Sequence, residues 1–143
     1  MIFSRLFALI LFLAALPATA QEIVPDQLML ELNRALDTDT GSCQLTVITT
    51  NRLSQGLTRA AWQIAIFDRD GIVQSLPVLD FGALVAGKTK VAVFELAGRP
   101  CAEIGQIVVN DVAECTAEDG DNLRDACLSG LATRSRADIS FGI

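Results

Sequence analysis

Short runs in which apolar and polar residues alternate, each closed by a turn signal, recur along this chain. "SCQLTVITTN" sets Cys43, Leu45, Val47 and Thr49 on one side of an extended backbone and Gln44, Thr46, Ile48 and Thr50 on the other. Successive side chains of a strand point to opposite faces, so this alternation predicts a half-buried strand, and its dense β-branching agrees. "TRAAWQIAIF" repeats the pattern with Ala60, Trp62, Ile64 and Ile66 facing one way, which makes Trp62 a core residue. "LMLELNRAL" sets Leu28, Leu30 and Leu32 against Met29, Glu31 and Asn33, although one helical turn is a rival over so short a span. "KVAVFEL" sets Val91 and Val93 against Ala92, Phe94 and Leu96, "IGQIVVND" is a further strand, and "RADISFGI" puts Ile139 and Phe141 on one face.

Between these runs lie "DTDTG", "RLSQGL", "DRDG", "GALVAGKTK" and "AGRPCAE", rich in residues that bond their own backbone or tolerate positive φ. Pro77 removes a ladder donor, so "GIVQSLPVLDF" belongs at a sheet edge. "CTAEDGDNLRDAC" is an acidic loop with cysteines at its ends, and "DNLRDACLSGLA" is the one short helical candidate. About seven short strands without a long helical segment predict an all-β sandwich forming a single domain over residues 21–143.

The first twenty residues, "MIFSRLFALILFLAALPATA", combine one cation at Arg5, an apolar run from Leu6 to Leu16 and small residues at Ala18 and Ala20. That run is too short to span a bilayer as a helix, so it is expected to be a signal peptide cleaved between Ala20 and Gln21. The product would be periplasmic or secreted, with no transmembrane segment. The chain carries a net charge of −6, and loss of Arg5 makes the remainder more acidic. Such a surface argues against nucleic acid as a partner.

Cysteines stand at 43, 101, 115 and 127, all in the exported portion, where an even count points to disulfides. Four cysteines allow three pairings. Cys115 and Cys127 bracket a polar run with little apolar surface to order it, so a local bridge is expected there, leaving Cys43 with Cys101. Zinc is a poor competitor, because there is no C-x-x-C pair and no histidine.

The absence of histidine excludes Ser-His-Asp and Cys-His catalysis. Lys88 and Lys90, the only lysines, flank a glycine-containing corner where neither is expected to be desolvated for a Ser-Lys dyad. Asp68 with Asp70, and Asp80 with Glu95, are the carboxylate pairs a glycosidase would require, yet a lone tryptophan and no tyrosine leave little for a sugar platform. Acidic loops at Asp37–Gly41, Asp68–Gly71 and Glu118–Asn122 offer oxygen ligands for calcium, but none completes a calcium-loop pattern. No catalytic, cofactor or metal residue is therefore assigned.

The run Ile64-Ala65-Ile66-Phe67-Asp68-Arg69-Asp70-Gly71, followed by Leu84-Val85-Ala86-Gly87-Lys88-Thr89 and a strand reaching Phe94, resembles the FxLYD-type immunoglobulin-like domains of bacterial exported proteins. The resemblance covers residues 43–96 and implies an immunoglobulin-like antiparallel β-sandwich without indicating an activity. Phe67 stands where that family often carries tyrosine, and the second pair of cysteines lies outside the pattern. The expected function is that of a non-catalytic accessory or binding module whose partner is another exported or envelope protein. A carboxylate-only hydrolase and a self-associating structural envelope protein are the alternatives.

Overall fold

The computed structural model describes residues 26–143. The expected signal peptide and its cleavage point lie outside the described residues. The elements are strands β1 (Leu28–Asp37), β2 (Cys43–Asn51), β3 (Leu57–Asp68), β4 (Val73–Ser75), β5 (Val78–Leu84), β6 (Thr89–Leu96), β7 (Ile104–Ala117), β8 (Leu131–Ser135) and β9 (Ser140–Gly142). A 3-10 turn at Cys101–Glu103 precedes β7, and a short helix α1 (Arg124–Cys127) precedes β8.

The strands form two sheets, as the alternation predicts. One has the order β6-β2-β1-β8, the other β4-β3-β7-β9, with β5 also paired to β3. Their apolar faces meet in one core. Leu28, Leu30, Leu32, Leu45 and Val47 come from the first sheet, and Trp62, Ile64, Ile66, Ile107 and Val109 from the second. Phe81 of β5 links the layers, edge-on to Trp62 with centroids 5.4 Å apart and edge-on to Phe94 of β6 at 5.0 Å. Edge-to-face pairs of this kind set the positive rim of one ring against the negative face of the next. On β6 the face bearing Val91 and Val93 is the exposed one, and Leu96 on the opposite face is buried.

Two disulfides join Cys43 to Cys101 and Cys115 to Cys127, the expected pairing. The first ties β2 to the 3-10 turn before β7. The second ties β7 to α1.

Several details depart from the sequence reading. Nine strands are present among the described residues rather than about seven. Two pairings, β1 with β8 and β7 with β9, are parallel, so the sheets are mixed rather than antiparallel throughout. "GIVQSLPVLDF" is two strands on the same flank of β3, broken around Pro77, whose carbonyl still accepts a hydrogen bond from the Ile64 N–H at 2.9 Å. Pro77, which has no N–H to give the ladder, sits in the break between the two strands. β7 runs through Cys115 to Ala117, into what reads as a loop, because it pairs along almost the whole of β3. The helical candidate shrinks to Arg124–Cys127, and its "LATRS" continuation is strand β8, aligned with β1 from Leu28–Leu131 to Leu32–Ser135.

β1 carries the irregularity that matters most for the site. Leu32 lies opposite Val47 and Arg34 opposite Thr46, so Asn33 is an inserted residue. Such a bulge places two residues against one and bends the strand. Beyond Leu32, which accepts a bond from the Arg136 N–H, β8 no longer accompanies β1. The chain then crosses through residues 136–139 to the other sheet as β9, and β1 continues to Asp37 with β2 as its one strand neighbour among the described residues.

Candidate binding cleft

Where β8 leaves β1, a cleft of about 460 Å³ opens at the side of the sandwich. One wall is Asn33, Arg34 and Ala35 of β1, and the opposite wall is the crossing segment Arg136–Ile139. Cys101 and Ala102 close one end, and Arg69 of the DRDG turn reaches in from the second sheet. Three guanidinium groups from three separate parts of the chain thus line one concavity. Asp138 is the carboxylate among them.

The arginines are held from behind. Arg69 donates its Nε to the Ala102 carbonyl at 2.6 Å, and Arg136 donates its Nε to Glu31 at 2.9 Å. Among the described residues, the terminal nitrogens of both have no hydrogen-bond acceptor, and Arg34 has no ion-pair partner. A guanidinium anchored through Nε presents its outer edge in a fixed orientation, the geometry that grips a carboxylate or phosphate.

Glu31 is the keystone of this arrangement. It lies on the outer face of its sheet, yet only 2% of it is exposed, because Arg134 of β8 and Arg136 lie over it. Its carboxylate also accepts a bond from the Asn33 amide at 2.8 Å. Burial by itself pushes the Glu31 carboxyl upward, but the bonds from Asn33, Arg134 and Arg136, together with the charge of Arg134, outweigh it and hold the group below the usual glutamate range. Glu31 therefore stays ionised and orients Arg136 at the cleft mouth.

The DRDG turn acts as a corner, and that corner positions a cleft residue. Asp68 Oδ1 accepts from the backbone N–H groups of Asp70 and Ile72, both at 2.9 Å. Gly105 packs so closely beneath the turn that a Cβ there would lie 2.5 Å from the Asp68 carbonyl oxygen. Together these fix the backbone from which Arg69 projects.

The other candidate residues are engaged elsewhere. Asp80 receives Arg59 at 2.7 Å, and that hydrogen bond, with one from the Gly82 backbone, lowers its carboxyl. Glu95 stands on β6 opposite Gln44, in the other sheet, so the Asp80 and Glu95 pair is not brought together. Lys90 spends its ammonium on the Phe81 and Ala83 carbonyls at 2.5 and 3.2 Å, and Lys88 is exposed. Asp37 accepts from the Cys101 N–H at 2.6 Å, which ties the end of β1 to the 3-10 turn, and Asp119 accepts from the Asp121 N–H at 3.0 Å within its own turn. Among the described residues, no group of three or more acidic or cysteine side chains is disposed to hold a metal.

Sequence reading does not single out Arg34, Arg69 or Arg136. One signal was available: Arg134 and Arg136 at period two place both guanidiniums on one face of a strand. Comparison with protein-family models, curated proteins and solved structures finds no match.

Proposed function

We propose that the chain is an exported, non-catalytic accessory module that binds an anionic group presented by another exported or envelope protein. The observation that carries this reading is the convergence of Arg34, Arg69 and Arg136 on one cleft in a chain of net charge −6. Concentrating cations in an otherwise acidic protein costs self-repulsion when empty and rewards an anion that enters. Two disulfides support an oxidising compartment, and with the N-terminal leader they favour the periplasm after cleavage before Gln21. No helix among the described residues is long and apolar enough to cross a membrane. The immunoglobulin-like assignment rests on the resemblance over residues 43–96 together with the two-sheet core.

Titration of the purified protein with succinate, followed by NMR, tests the reading. Shifts concentrated at Arg34, Arg69, Arg136 and Ala102, absent with choline at equal ionic strength, are expected. No localised response to succinate would overturn it.

A second reading, a self-associating structural envelope protein, draws on Val91 and Val93, exposed at 59% and 57% beside Ile48 on the outer face of β2 and β6. A mass that rises with protein concentration, and falls back on Val91→Lys, would favour it.

A further inference from the structure

Among the described residues, the edge of β1 beyond Leu32 has no strand partner, and it runs along the same cleft that holds the arginines. Its pairing with β8 ends at Leu32, and Asn33, Arg34 and Ala35 then form the wall of the cleft. An unpaired edge carries N–H and C=O groups at strand spacing and accepts an extended chain through main-chain hydrogen bonds. The small side chains of Ala35 and Ala102 leave room for such a chain. Asp37, the last residue of β1, accepts from the Cys101 N–H and ties the end of the strand to the 3-10 turn.

We infer that the ligand of this cleft is an extended acidic peptide segment of a partner protein, which adds to the edge of β1 at Asn33–Leu36 as a short fifth strand. The inference rests on the anion-binding reading above and specifies its ligand. Charge complementarity selects the occupant. Arg34, Arg69 and Arg136 line the cleft that receives the segment, against the carboxylates of Asp138, which also lines it, Asp37, which accepts from the Cys101 N–H, and Glu31, already engaged by Arg134, Arg136 and Asn33. The guanidiniums would read carboxylate side chains while the backbone edge sets direction and register. The β1 wall of the cleft is only three residues long, Asn33, Arg34 and Ala35. Recognition is accordingly of a brief motif rather than a long strand.

The test uses the oxidised protein and a capped four-residue peptide alternating glutamate and valine. Two derivatives carry N-methyl groups on alternate residues, so that each blocks the amides along one side of the extended peptide. Strand addition uses one side only. One derivative should bind at least about tenfold more weakly than the parent, the loss expected for one or two hydrogen bonds, while the other keeps its affinity. Amide exchange within Asn33–Leu36 should slow when the parent peptide is bound. Equal affinity of both derivatives with the parent, or an equal loss in both, would overturn strand addition while the succinate response still upheld anion binding. If neither succinate nor the parent peptide perturbs the cleft, the anion reading itself fails, and this inference fails with it.

Discussion

The indole N–H of Trp62 donates to the carbonyl of Cys127 across 2.7 Å, so the centre of β3 is bonded directly to the helix that closes the smaller disulfide loop. Trp62 has no exposed surface. The acidic segment between Cys115 and Cys127 is therefore fastened twice, by its bridge and by the core. Native emission should be blue-shifted and move red on unfolding. Trp62→Ala should cost about 3 to 5 kcal/mol, as for other buried aromatics, in a denaturant titration. Trp62→Phe should still cost about 1 to 3 kcal/mol, because the Cys127 carbonyl loses its buried donor.

Glu31 should make stability pH-dependent. Its folded carboxyl is held below the usual glutamate value of 4.5, so its contribution is fully present above that value and is lost as pH falls through the folded pKa. Glu31→Gln should lower stability by about 1 to 3 kcal/mol at neutral pH, the range for hydrogen bonds to a charged group. Thermal melts of wild type and variant should converge on acidification below the usual range. A constant gap down to pH 3 would contradict the assignment.

The inward faces were legible because a core selects for alternation, and Leu28, Leu30, Leu32, Cys43, Leu45, Val47 and Trp62 all lie where period two puts them. The cleft was not legible, for two physical reasons. The bulge at Asn33 breaks the alternation that placed Glu31 and Asn33 on an ordinary polar face, leaving Arg34 opposite the outward Thr46. β8 then pairs in parallel with a strand far away in sequence, and this covers Glu31 and delivers Arg134 and Arg136. Local patterns carry no record of which distant segment becomes a neighbour. The cysteine pairing was more accessible because one loop was short and polar.

Thr49 shows the cost of a polar side chain in an otherwise regular inward row. It is fully buried on β2, and its hydroxyl has no hydrogen-bond partner among the described residues. Thr49→Val keeps the shape and removes an unsatisfied group. It should raise stability by about 1 to 2 kcal/mol, read as a higher denaturation midpoint at unchanged slope.

Gly105 should tolerate no side chain. The clash of a Cβ with the Asp68 carbonyl is against backbone and cannot be relieved by rotating a side chain. Gly105→Ala should cost about 1 to 3 kcal/mol. It should also weaken binding of the acidic peptide, since the displaced turn carries Arg69.

The central claim is that guanidinium groups in the β1 cleft bind an anionic partner segment. Calorimetric titration of the acidic peptide into wild type and an Arg34→Ala/Arg69→Ala double variant, at one fixed ionic strength, tests it most directly. Both side chains are exposed, and Arg69 makes a single anchoring bond to Ala102, so the fold should survive with little change in melting temperature. Binding at least about tenfold weaker in the variant is predicted, from the loss of charge-assisted hydrogen bonds. Undiminished affinity in a folded double variant would contradict the claim.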